Sequence, residues 1–106
     1  MIVTTTPTIE GRKITAYLGI VAGEVALGTD FVRDFVASIS DFFGTRTGAY
    51  EEKLLEARQA CLTEMSERAR KLGADAVVAV KVDHEILDNG MMLVIATGTA
   101  VKLSQS

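Results

Sequence analysis

The chain has one cysteine, one proline, one histidine and no tryptophan. A lone Cys61 cannot close an intrachain disulfide, so the fold must stand on packing, and a reducing compartment is expected. A closed zinc site takes four protein ligands, often in short C-x2-C pairs, and nothing of that kind is here. With a single His, and with Ser38, Ser40, Ser66, Ser104 and Ser106 outside any nucleophile-elbow context, a Ser-His-Asp hydrolase has no support. No uninterrupted apolar run approaches the ~20 residues that span a bilayer. The longest candidates are broken by Lys81, Asp83 and Glu85, or by Thr97, Gly98 and Thr99. A basic surplus is missing too: 11 Lys and Arg face 14 Asp and Glu, for a net charge of −3. That balance argues against a nucleic-acid partner. The opening MIVTTTPTIEGRK has no basic stretch leading into an apolar one, so no secretory signal is expected and the cytoplasm is the expected location.

What remains is rich in apolar residues. Of the 106 residues, 48% are hydrophobic, and the mean hydropathy is +0.26. One domain over 1–106 is expected, with no linker or repeat. Two apolar strand-like runs, Ala76 to Val82 and Met91 to Val101, sit in a chain too small to bury both faces of such a sheet. The core is therefore expected to be completed by other copies of the chain.

Met1 to Thr4 is a candidate short strand, and Glu10-Gly11-Arg12 reads as a turn. From Lys13 to Leu27, Ile14, Ala16, Leu18, Ile20 and Ala22 recur at period two, with Gly19, Gly23 and Gly28 marking a bulge or bend. Thr29 and Asp30 are good caps for a helix carrying Phe31, Phe35, Ile39 and Phe42 up to Gly44. A second helix is predicted from about Ala49 to Leu72, roughly 36 Å long. It stops at Gly73, the favoured residue after a helix end, with Arg68, Arg70 and Lys71 suiting the dipole in its last turns.

Asn89-Gly90 is a strong two-residue hairpin signal. That turn sets Asp88 opposite Met91, Ile86 opposite Leu93 and Val82 opposite Thr97. One face then holds Val78, Val80, Val82, His84 and Ile86 with Met91, Leu93, Ile95, Thr97, Thr99 and Val101, and is expected beneath the helices. The other holds Val77, Ala79, Lys81, Asp83, Glu85 and Leu87 with Met92, Val94, Ala96, Gly98, Ala100 and Lys102, and is expected at a subunit contact. Strand, helices and hairpin in that order predict an α+β, two-layer domain with an antiparallel sheet and helices on one face.

The segments GTRTGAYE (Gly44 to Glu51), LGADAVVAVKVDHE (Leu72 to Glu85) and TGTAV (Thr97 to Val101), with Arg58 between the first two, resemble the YbjQ-like family. These are small bacterial proteins labelled as heavy-metal-binding. The resemblance implies a dodecin-subunit-like β-α-β-β fold, assembled into a ring-forming homo-oligomer, a pentamer. It implies no established enzyme activity. His84 departs from it, because an aromatic is expected there between the acids of an Asp-x-Glu.

Leu54, Leu55, Cys61, Leu62, Met65, Ala69 and Leu72 share one stripe of the second helix, and Glu51 and Arg58 fall inside it. Charge on a packing face is costly unless paired. The two form an ion pair, or Arg58 meets Asp83 or Glu85 of a neighbouring copy, or Arg58 joins Arg46 to hold a carboxylate or phosphate, or its long stem carries the charge out to solvent. The Gly44–Gly48 loop precedes a helix N-terminus able to hold an anion, but it is no Walker A motif and also reads as a tight interhelical turn. Tyr50 after it reads as a packing residue. Cys61 reads as a small buried hydrophobe. Cys61 and His84 are still the only metal-ligand candidates of their kind, with His84 reading also as a structural histidine, and a divalent metal is the only cofactor in view. Asp83 and Glu85 share one strand face and His84 takes the other, so the trio is no single chelate. Three functions follow in order of preference. The first is a non-catalytic ring protein holding a small ligand or ion at subunit junctions, the second a heavy-metal-binding protein, and the third an enzyme with a site shared between subunits.

Overall fold

The computed structural model describes residues 1–33 and 47–105. Its elements are β1 (Ile2–Val3), β2 (Ile14–Leu27), α1 (Thr47–Lys71), β3 (Ala76–Ile86) and β4 (Met92–Leu103), with a helical stretch over residues 29–33. The four strands form one sheet in the order β1-β3-β4-β2. β2 and β3 run antiparallel to the central β4, while β1 runs parallel to β3. The sheet is therefore mixed rather than wholly antiparallel. Thr4 extends that parallel pairing, its N donating to Val77 O and its carbonyl accepting from Val80 N.

α1 begins two residues before the sequence pattern suggests and ends as its composition dictates. Gly73 adopts φ +84°, Ala74 N donates to Ala69 O at 3.1 Å, and Gly73 N donates to Arg70 O at 2.9 Å. These two bonds satisfy the last helical carbonyls. The helix lies on one face of the sheet, mainly over β2 and β4. Its buried side chains are Ala57, Cys61, Met65 and Ala69, the last three fully enclosed. They meet Met92, Val94, Ala96 and Ala100 of β4, Val77 and Val80 of β3, and Val21 of β2. Leu55 and Leu72 are exposed, because the stripe that meets the sheet is narrower than the apolar pattern of the helix. Gly23 permits the close approach, since a Cβ there would fall on the Cys61 carbonyl.

The hairpin register differs from the predicted one by a residue. Leu87 N donates to Met91 O at 2.7 Å, which closes a loop of three residues, Asp88-Asn89-Gly90. Only Gly90 has positive φ, at +82°, whereas the two-residue turn needs it at both central positions. Ile86 therefore faces Met92 and Val82 faces Ala96. The slip exchanges the faces of β4. Met92, Val94, Ala96 and Ala100 lie beneath the helix, and Leu93, Ile95, Thr97 and Thr99 lie on the uncovered face.

A bulge in β3 at Ala79, with φ +54°, then shifts the pairing again between Val78 and Lys81. It lets Val77 and Val80 both face the helix while Val78 turns away. A second irregularity at Gly19, φ +133°, breaks the period of β2. Leu18 packs toward the helix, while Ile20 emerges 84% exposed on the open face. The bulge expected at the glycines is present, and the single alternating face from Ile14 to Ala22 is not.

Candidate functional site

Among the described residues the open face of the sheet is sealed only at one end, where Ala76, Val78, Val101 and Leu103 form a second small core with Ile9 and Ile14 packed against it. Beyond that end, β2 contributes Tyr17, 73% exposed, together with Ile20, Ala22, Glu24 and Ala26. β4 contributes the half-buried Thr99, Thr97, Ile95 and Leu93. Along β3 the border is charged: Lys81 stands opposite Thr97, Asp83 opposite Ile95 and Glu85 opposite Leu93. Lys81 Nζ and Asp83 Oδ1 lie 3.7 Å apart. An apolar centre with a charged rim is the anatomy of an interaction surface.

The remaining candidates lie away from this face. Glu51 and Arg58 are both exposed on α1, and no ion pair joins them among the described residues. The charged pair expected within the packing stripe does not form in one protomer, because the stripe is centred on Ala57, Cys61 and Met65. Arg58 instead borders a shallow groove of about 240 Å³ with Val3, Thr4, Thr5, Leu62, Val80 and Val82. That groove is on the helix side, so Arg58 and the Asp83–Glu85 border are on opposite layers. Tyr50 lies in the first turn of α1. Arg46, most of the Gly44–Gly48 loop, and Phe35, Ile39 and Phe42 fall outside the described residues.

Cys61 is fully enclosed, and its Sγ donates to the carbonyl of Val94 at 3.1 Å. Burial pushes its thiol up, the neighbouring Glu64 adding to the rise. A thiol held protonated and engaged with a backbone carbonyl is a poor metal ligand. His84 is exposed on β3, opposite Val94. Among the described residues no three His, Cys, Asp or Glu side chains gather closely enough to hold a metal ion. The described donors of one protomer thus do not fit a heavy-metal centre. No described helix is long and apolar enough to cross a membrane.

Sequence reasoning missed the β3 bulge at Ala79, which no glycine announces. It also missed the reach of Arg68 to a β2 carbonyl. The Glu64–Arg68 spacing was readable as a helical pair, but its backbone acceptor comes from a strand over forty positions away.

Comparison with known proteins agrees with the fold. The UPF0145 protein GK1405 of Geobacillus kaustophilus is 61% identical over 103 residues, covering 97% of this chain and 98% of its own. A UPF0145 protein of Anoxybacillus flavithermus is 57% identical over 105 residues, covering 99% and 100%. A crystal structure from Pediococcus pentosaceus, of a protein with unknown function in the DUF74 family, superposes with a TM-score of 0.59 at 18% identity. It covers 98% of both chains, which is a likeness of fold. The YbjQ family model, described as "Putative heavy-metal-binding", matches residues 1–104. With that match and relatives above half identity, the chain belongs to the YbjQ family.

Proposed function

We propose that this chain is the protomer of a cytoplasmic, non-catalytic ring, a pentamer, that holds a small ligand or ion where subunits meet. The observation that carries the reading is the open sheet face, on which Ile20 is 84% and Tyr17 73% exposed. A second copy suits the face better than solvent does, because its centre is aliphatic and its rim offers both Lys81 and the acids Asp83 and Glu85.

In such an assembly Glu51 and Arg58 of one copy come within reach of the charged border of another, with Arg46 and Tyr50 nearby in sequence. A junction lined by arginine and carboxylates suits a small anion or a metabolite bearing one. The heavy-metal description of the family would require donors from several copies, with His84 the exposed imidazole.

Native mass spectrometry tests the assembly and any passenger together. The expected result is a mass five times that of the chain for wild type and a large loss of that species in Ile20→Lys. A dilute wild-type sample at 11.4 kDa overturns the reading. Equilibrium dialysis with zinc separates the two ligand classes. Tight binding lost in His84→Ala would move the assignment to the metal.

A further inference from the structure

Arg68, near the end of α1, makes two contacts of different kinds. Its Nη1 donates to the carbonyl of Ala22 at 2.8 Å, and its Nη2 lies 2.9 Å from Glu64 Oε1. The direction of that carbonyl follows from the ladder. Asp75 N donates to Val101 O and Leu87 N to Met91 O, both on the β3 side. Odd-numbered residues of β4 therefore aim their backbone groups at β3, and even-numbered ones aim theirs at β2. Ala22 stands opposite Thr97, so its N–H and C=O point out of the sheet. The same holds for Ile20, Glu24 and Ala26, opposite Thr99, Ile95 and Leu93.

β2 is the terminal strand of the sheet, and no strand among the described residues meets those groups. Natural edges are kept from pairing by short length, lysine, proline or bulges. At the other edge β1 is two residues long. β2 runs for fourteen residues with one charge, Glu24, and no lysine or proline. Its bulge at Gly19 leaves Ile20–Leu27 regular and largely apolar. That stretch is a template for a strand from another chain, and the guanidinium of Arg68 sits at its centre.

We propose that Arg68, braced by Glu64, is an edge guard that occupies the outward carbonyl of Ala22 and keeps a second copy of this chain from pairing along β2. An incoming strand must place an N–H where the guanidinium lies, and must strip water from a charge to do so. The brace is well ordered for this work. Glu four residues before Arg is the favourable direction for a helical pair, and the pair fixes a long side chain that would otherwise sweep freely. The guard concerns the edge of the sheet, and it does not rest on the ring assembly proposed above.

Arg68→Met keeps the apolar stem and removes the donors, whereas Arg68→Lys keeps a cation able to donate to the same carbonyl. Light scattering across a wide concentration range, with amide exchange at Ile20, Ala22, Glu24 and Ala26, reads the outcome against wild type, whatever the wild-type mass. Arg68→Met is expected at least to double the weight-average mass at high concentration and to protect those four amides. Arg68→Lys is expected to match wild type. An unchanged mass in Arg68→Met overturns the guard. So does growth without protection at the four amides, which is aggregation by another route. Should Arg68→Met fail to fold, Glu64→Ala leaves the arginine in place but unbraced. A smaller rise in mass is expected there, and none overturns the proposal.

Discussion

The two faces of one sheet differ in what covers them more than in what they are made of. Beneath the helix, Val94, Ala96 and Ala100 are fully enclosed and Met92 nearly so. On the reverse, their immediate neighbours Leu93, Ile95, Thr97 and Thr99 stay half exposed, and Ile20 beside them is open to solvent. The two sets are similar in hydrophobicity. What separates them is that a 25-residue helix covers one side, while the N-terminal segment seals only the far end of the other. Among the described residues one long helix packs on the sheet, and the small residues Gly23, Ala57 and Cys61 seat it on one side.

Truncation should respond to that difference most strongly. Met65 is fully buried among both layers, so Met65→Ala is expected to cost about 2–5 kcal/mol in urea unfolding. Ile20→Ala on the open face is expected to stay within about 0.5 kcal/mol in a dissociated protomer. Equal losses at both positions would erase the distinction between the faces and show that Ile20 is covered in solution.

Gly23→Ala comes next. Its Cβ would meet the Cys61 carbonyl, so helix and strand must separate, at a cost of about 1–3 kcal/mol. Gly19, on the same strand, has nothing within 4 Å of the corresponding position. Alanine there strains only the backbone at φ +133°. A Gly23→Ala protein that melts like wild type would mean the helix does not rest on β2 as described.

The smallest effect is on pH dependence. Burial raises the thiol of Cys61 in the folded state, so the folded chain resists releasing that proton while the unfolded chain releases it near the ordinary value of about 8.5. The contribution to stability is therefore complete below that pH and is lost as pH climbs toward the raised folded value. Denaturation midpoints should fall above about pH 8.5 in wild type and fall less in Cys61→Ala. Parallel pH curves for the two proteins would place the thiol in water.

Several of these features were readable from residue order. Gly73 after Arg70 and Lys71 announced the helix stop, Gly11 its turn and Gly19 its bulge, because each needs a backbone conformation that glycine adopts most readily. The buried role of Cys61 followed from its place in the apolar stripe. The ionic partners of Arg58 and Glu51 did not follow, since helical spacing reports an angle around an axis and not how far the covering sheet extends. Family membership was readable as well, from segments whose order and spacing recur together.

By itself, then, the amino-acid order determined the α+β class, the long helix and its end, and the surplus of apolar strand over the area available to cover it. These depend on local periodicity and composition, which neighbours along the chain carry. Only the tertiary structure decided which face of β4 went inside. A three-residue loop closed by Gly90, in place of a two-residue one, moved each β4 residue to the other side. The bulge at Ala79 then brought Val77, expected at a subunit contact, into the core. Alternation in a strand has period two, so a single-residue difference in a turn exchanges inside for outside along its whole length, and the energy that selects between the two registers comes from the helix packed across them.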